Sequence, residues 1–193
     1  MSAPAALVRF LHLAGRLKTT KRTGWLDRGV PPAQTESVAD HSFRTALLAW
    51  IAAAGDPTLD RDRVLQLALV HDLAEAFAGD ITPYDRDAIA REPDASARRA
   101  SLERRHVRSD DDRVAKRAAE RAALARMLAG VADAVAGEVR ALWEEYEAAE
   151  SPEARWVKQA DKLESFLQSR EYASADPKLS VASFAAEVAD VVT

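Results

Sequence analysis

The stretch Leu69-Val70-His71-Asp72-Leu73-Ala74-Glu75 sets three ionisable side chains inside an apolar helical pattern. Val64, Leu67, Ala68, His71 and Ala74 recur every three or four residues, the spacing of one face of an amphipathic helix. That period carries a histidine into a row expected to be buried, with a carboxylate beside it. Thr58 or Asp60 can cap the start of this helix, and Gly79 is a natural breaker after Ala78. A polar pair that periodicity places in a core demands a partner, because an unpaired buried carboxylate is costly.

The same period runs outward in both directions. Leu7, Phe10, Leu11, Ala14 and Leu17 predict a first helix. Residues 18–36 have no period, hold Gly24, Gly29, Pro31 and Pro32, and read as a long loop, of a length that is more often functional than not. Ser37 is an N-cap with Asp40 three residues on, an approximate capping box for a helix whose apolar face is Val38, Phe43, Ala46, Leu47, Trp50 and Ile51. Further on, Val139, Leu142, Trp143 and Tyr146 predict a helix ending near Glu150. Ser151-Pro152-Glu153 opens another, with a serine cap and proline at its first position. Its row is Trp156, Val157, Ala160, Leu163 and Leu167, and Pro177 precedes a last short helix over 178–193 carrying Val181, Phe184, Ala185 and Val188. No alternating strand pattern longer than a few residues occurs, and there are no repeats. The expected fold is all-α, one helical domain over residues 1–193.

Residues 86–126 differ in character. They hold 12 basic and 8 acidic residues, a net +4 inside a chain of net -4, so the remainder carries -8. Apolar residues other than alanine are sparse there. The first reading is a charged, alanine-rich helical excursion, solvated and held by ion pairs four residues apart. A basic lid or partner surface is the sharper reading, and Arg105–Asp112 is where disorder would fall.

The 193 residues suit one domain with a core of several helices. Cysteine is absent, which excludes disulfides, thiolate metal sites and cysteine nucleophiles and fits a reducing compartment. Mild acidity argues against a protein that coats a nucleic acid polymer. The longest uncharged apolar run, Ala46–Ala54, is far short of the roughly 20 residues a membrane span needs. The apolar N-terminal stretch is broken by Arg9, His12, Arg16 and Lys18, so no signal peptide is expected and the cytoplasm is the default location.

Four polar residues sit in or beside rows expected to be core: His41, His71, Asp72 and Asp161. Two imidazoles and two carboxylates can hold one divalent cation and leave two positions of an octahedral ion open for water and a substrate oxygen. Each alone has a plainer explanation, a satisfied core histidine or an aspartate paired with a lysine or arginine. Their coincidence favours ligation. Only His12 and His106 remain, too few and too badly placed for a second histidine-built metal.

An isolated His, a His-Asp doublet on a following helix and a distant Asp resemble the HD-domain metal-dependent phosphohydrolases. Arg22-Thr23-Gly24-Trp25, Glu36-Ser37-Val38-Ala39-Asp40-His41-Ser42, the His71-Asp72 stretch, Gly79-Asp80-Ile81, Leu142-Trp143-Glu144-Glu145-Tyr146-Glu147 and Val157-Lys158-Gln159-Ala160-Asp161 are similar, in that order, to the HD-domain 5'-deoxynucleotidases. The resemblance spans about residues 7–172 and departs in 86–126, which is longer and more basic than the family pattern. It implies a single HD domain and one divalent cation (Mn, Co, Mg or Zn) on His41, His71, Asp72 and Asp161. It implies Glu75 and Asp80 as the groups that handle protons, with the base left open between them. Arg22 would contact the phosphate, and Trp25 would help exclude a 2'-hydroxyl. Lys18, Lys21 and Arg28 add charge that could steer an anion. The implied substrate is a deoxyribonucleoside 5'-monophosphate and the implied assembly a homodimer. Two other readings stay open: an HD phosphohydrolase of another nucleotide or small phosphoester, and a non-catalytic helical interaction protein stabilised by its metal.

Overall fold

The computed structural model describes residues 3–191. Among them the regular elements are helical, apart from one isolated antiparallel bridge between Lys21 and Ser37. In chain order they are α1 (Ala3–Ala14), α2 (Thr23–Asp27), α3 (Val38–Ala52), α4 (Arg61–Val70), α5 (Glu75–Ala78), α6 (Arg86–Ala90), α7 (Ala95–Glu103), α8 (Asp110–Leu128), α9 (Asp133–Ala148), α10 (Pro152–Ala175) and α11 (Ala182–Val191). The all-α expectation holds. None of these helices is long and apolar enough to cross a membrane.

Local chemistry explains where the helices begin. Ser37 Oγ accepts the Asp40 backbone N–H at 3.1 Å, and Asp40 Oδ2 accepts the Ser37 N–H at 2.8 Å, a complete capping box at α3. Asp60, not Thr58, caps α4. Ser151 caps α10 by accepting the Ala154 N–H at 3.1 Å, with Pro152 at the first position. From α1, Arg9 donates to the carbonyls of Arg126 and Ala129 and so closes the C-terminal end of α8.

The helix expected to continue to Ala78 stops at Val70, turns through 71–74 and restarts as α5. Short-range bonds from Leu73 to the Val70 carbonyl and from Glu75 to the Asp72 carbonyl tighten this turn. Neighbours on a regular α-helix point about 100° apart. Even so, Asp72 Oδ2 comes within 3.1 Å of His71 Nε2. Gly79, at φ 77°, then ends α5 in a conformation that a side chain would resist.

Two apolar clusters hold the bundle. One gathers Val38, Leu73, Leu124, Met127 and Trp143, and the other Ala49, Val64, Leu67, Leu142 and Val157. Ala123, Leu124, Met127 and Leu128 come from the charged segment, so the solvated excursion expected over 86–126 is only partly solvated: the second half of α8 is core. Residues 104–109 form an irregular link before α8, and the 18–36 loop contains α2.

The inward faces of α3 and α10 differ from those the apolar rows predicted. On α3 the buried residues are Val38, His41, Thr45, Ala46 and Ala49, while Phe43, Leu47 and Ile51 are 63%, 40% and 60% exposed. On α10 Asp161, Glu164, Ser165 and Gln168 turn inward with Val157 and Ala160, and Leu167 turns out. α1 shifts likewise, with Ala6 buried and Leu7 and Leu11 exposed, while Leu17, just beyond its end, is buried as the row predicts. Small residues at the contacts allow α3, α4 and α10 to approach, and the polar residues among them build the site.

Truncating fully buried Trp143 to alanine is expected to cost about 3–5 kcal/mol of unfolding free energy. Ser37→Ala, which removes the capping box, is expected to cost about 1 kcal/mol. Urea denaturation followed by circular dichroism measures both.

Candidate metal centre

His41 stands one turn into α3, His71 and Asp72 in the turn after α4, and Asp161 mid-way along α10. The structure brings all four together. Ligand atoms of His41, His71 and Asp161 lie within 4.8 Å of one another. Asp72 Oδ2 is 3.1 Å from His71 Nε2 and 3.6 Å from His41 Nε2, and Asp161 Oδ1 is 3.1 Å from His41 Nε2.

The other ring nitrogens set the tautomers. His71 Nδ1 lies 2.7 Å from the Ala68 carbonyl, which can only accept, so Nδ1 carries the hydrogen and Nε2 presents a lone pair. His41 Nδ1 meets Glu164 Oε2 at 2.5 Å, the carboxylate–histidine arrangement that orients a metal-ligating imidazole. Glu164 is fully buried one turn beyond Asp161, and sequence reasoning missed it. The available signal was its i+3 spacing from Asp161 on a row that also carries Ser165 and Gln168.

The donor set fits a divalent cation. His41 Nε2, His71 Nε2 and Asp72 Oδ2 are buried and have no hydrogen-bond partner, three inward-facing atoms that together need a positive centre. The electrostatics agree. Burial and Arg22 push the His41 pKa down, yet Asp161 and Glu164 overcome them and lift it to about 9. Although burial opposes it, His71, Arg22 and His41 hold Asp72 well below the ordinary carboxylate range. Burial likewise opposes, and Lys162, His41 and His71 enforce, a depressed Asp161. Both aspartates stay anionic and the pocket between them favours a cation.

Glu75 behaves oppositely. Burial first, then Asp72 and Asp80, push its pKa well above the usual value, and its Oε2 is buried without a partner. Asp80 follows Gly79 as expected, but both of its oxygens are engaged: Oδ1 accepts from Arg22 Nη1 at 3.2 Å, and Oδ2 from the Thr23 backbone N–H at 2.5 Å. Arg22 also lies 3.6 Å from Asp72 Oδ2. Trp25 is 2% exposed. It stacks on Phe184 at 4.4 Å and donates from Nε1 to Glu36 Oε1 at 2.7 Å, anchoring the loop while lining the cavity wall.

Arg22, Trp25, His71, Asp72, Glu75, Asp80 and Asp161 line one cavity of about 650 Å³, and His41 and Glu164 are buried behind them. Ten lining side chains are Lys or Arg and six are Asp or Glu, so the cavity is cationic although the chain is not. Much of that charge comes from Arg104, Arg105, Arg108, Arg113, Lys116 and Arg117 of the basic segment, which forms one wall. His106 also lines it. Of the three cations expected to steer an anion, only Arg28 lies there. Its donors go to the carbonyls of Gly24, Leu102 and Ser180 and to Ser183 Oγ, so it ties loops together. Lys21 bonds the Thr35 carbonyl, and Lys18 is exposed.

A family model described as HD domain matches residues 14–191. The 5'-deoxynucleotidase HDDC2 of Mus musculus is 37% identical over 174 residues, covering 90% of this chain and 73% of the mouse protein. A conserved hypothetical protein from Pyrococcus furiosus superposes with TM-score 0.68 at 30% identity, covering 95% of this chain and 88% of its own. A protein described as "Predicted metal-dependent phosphohydrolase" from Magnetospirillum magnetotacticum superposes with TM-score 0.62 at 28% identity, covering 88% and 73%.

Glu164→Gln removes the charge behind His41. It is expected to weaken divalent-cation binding roughly 10- to 100-fold with the helical content unchanged. Competition with a chelator of known affinity measures the loss.

Proposed function

The chain belongs to the HD-domain family, and on that premise we propose that it is a metal-dependent 5'-deoxynucleotidase, hydrolysing deoxyribonucleoside 5'-monophosphates to deoxynucleoside and phosphate. The observation that carries this reading is the convergence of unpartnered His71 Nε2 and Asp72 Oδ2, with unpartnered His41 Nε2 buried behind them, at a cationic cavity that Glu75 and Arg22 also line. A site that used a metal only for stability would have no need of the last two.

One divalent cation would be held by His41, His71, Asp72 and Asp161, and when bound it supplies positive charge and makes water acidic enough to attack phosphorus near neutral pH. The protein's own groups do the rest. Arg22 offers planar N–H donors to a phosphate dianion from the long loop. Glu75 has a buried, unpartnered oxygen beside the aspartates. Burial and the neighbouring carboxylates favour its protonated form, and with a bound cation offsetting them Glu75 is able to take the proton from the attacking water. Asp80, spent on Arg22 and the Thr23 amide, positions the arginine and the loop. Trp25 forms the sugar-side wall, held from behind by Phe184 and Glu36.

Cytoplasmic location and a homodimer belong to the same proposal. The cysteine-free composition supports the first. For the second, Phe43, Leu47 and Ile51 recur every four residues along the outer face of α3, an apolar stripe suited to a second copy. Phe43→Asp with Ile51→Asp should then halve the mass seen by sedimentation equilibrium; an unchanged mass refutes that interface.

A phosphate-release screen over ribo- and deoxyribonucleoside 5'-monophosphates with Mn, Co, Mg and Zn tests the activity. Deoxynucleotides are expected to be hydrolysed, with about one ion per chain by elemental analysis, and His71→Ala should abolish both. Release only from another phosphoester would favour a different HD phosphohydrolase, and no release from any would favour a binding protein. Trp25→Phe should narrow the deoxyribose-to-ribose ratio of kcat/KM, a ratio insensitive to the fraction of folded enzyme. An unchanged ratio removes the tryptophan from sugar selection.

A further inference from the structure

Lys158 is a cavity cation that no carboxylate among the described residues pairs with directly. Arg22, Lys116, Arg117 and Lys162 each have a carboxylate oxygen within 4.0 Å. Arg28 and Arg108 donate to backbone carbonyls, and Arg104 lies on the exposed rim. Lys158 has no carboxylate that close among the described residues, although it lines the cavity and is largely withdrawn from water. A desolvated ammonium without a directly paired carboxylate is unfavourable: burial holds its pKa below the usual lysine range, and the more distant charges of Glu147 and Asp161 offset that only in part.

Its position is tied to the metal centre. Lys158 is one turn before Asp161 on α10. Its Nζ sits 3.9 Å from the centroid of the Tyr146 ring. That ring meets His71 edge-on at 5.3 Å, and its hydroxyl is 3.4 Å from Asp161 Oδ2. One aromatic ring therefore separates the free ammonium from two of the four residues that converge on the cation site. The cations that touch the cluster directly are already paired, Arg22 with Asp72 and Asp80 and Lys162 with Asp161.

We propose that the Lys158 ammonium contacts the phosphate of the substrate and stabilises the charge that gathers there as the ester bond breaks. This rests on the phosphomonoesterase reading above. In that reaction the water oxygen bonds to phosphorus while the bond from phosphorus to the 5'-oxygen breaks. One water proton ends on the 5'-oxygen and the other stays on the phosphate. Lys158 keeps its own protons and supplies charge and N–H donors. Tyr146 holds the stem in place through the cation–π contact.

The test compares the full-length, metal-loaded natural chain with Lys158→Met and Lys158→Arg. Calorimetry reads the binding of inorganic phosphate, and steady-state kinetics reads hydrolysis of a deoxynucleoside 5'-monophosphate and its inhibition by the uncharged deoxynucleoside. Lys158→Met is expected to weaken phosphate binding and lower kcat/KM, each roughly 10- to 100-fold, with deoxynucleoside inhibition unchanged. Lys158→Arg should restore most of the phosphate binding. Metal content and melting temperature should stay near those of the natural chain, and Lys158→Gln replaces the methionine variant if that one does not fold. Natural phosphate affinity in the uncharged variant overturns the proposal. So does an equal loss of phosphate and deoxynucleoside binding, which marks a role in packing alone. If the natural chain hydrolyses no deoxynucleotide, the functional reading fails while phosphate calorimetry still decides the contact.

Discussion

Carboxylates do not settle in a protein interior without positive charge to answer them, and this bundle turns Glu75, Asp161 and Glu164 inward with Asp72 half-buried beside them. The imidazoles of His41 and His71 stand between these groups with fixed tautomers. The whole packing of α3 against α4 and α10 is arranged around that meeting point. A cation there neutralises the aspartates and uses the two lone pairs, whereas without one the cluster must recruit a proton onto His41. The raised His41 pKa and the depressed aspartates are two signs of the same demand.

This demand distorts the amphipathic logic of the helices around it. A helix that served only packing would bury its large apolar side chains. Here α3 buries His41 and Thr45 between alanines and leaves Phe43, Leu47 and Ile51 outside, and α10 buries Asp161, Glu164, Ser165 and Gln168 while Leu167 faces out. Burial is recovered elsewhere, by Trp143, Leu124, Met127, Leu67 and Val157 in the two apolar clusters.

The basic segment shows two roles in one stretch of chain. The second half of α8 anchors it through Ala123, Leu124 and Met127, and the preceding link and first turns of α8 present their arginines and lysines to the cavity. The cavity is thereby cationic in a chain of net negative charge, a distribution whose field favours anions beside the candidate metal centre. Arg28, which looked from its neighbourhood like a steering charge, spends its donors on joining α2, the end of α7 and the start of α11.

The sequence by itself determined the all-α class, the caps at Ser37 and Ser151, and the four polar residues that the fold brings together as a candidate metal centre; it left the cap of α4 open between Thr58 and Asp60. These are local or compositional facts: a capping side chain acts within three residues, and a histidine or aspartate inside an apolar row stands out wherever the row lies. Tertiary structure alone decided which faces turn inward on α3 and α10, that Glu164 backs His41, that Asp80 is bound to Arg22 and Thr23, and that Lys158 stands over the Tyr146 ring without a directly paired carboxylate among the described residues. Each of those depends on atoms contributed by segments far apart in the chain. Periodicity records how often a helix repeats, but the chemistry of what packs against it selects the face that is buried.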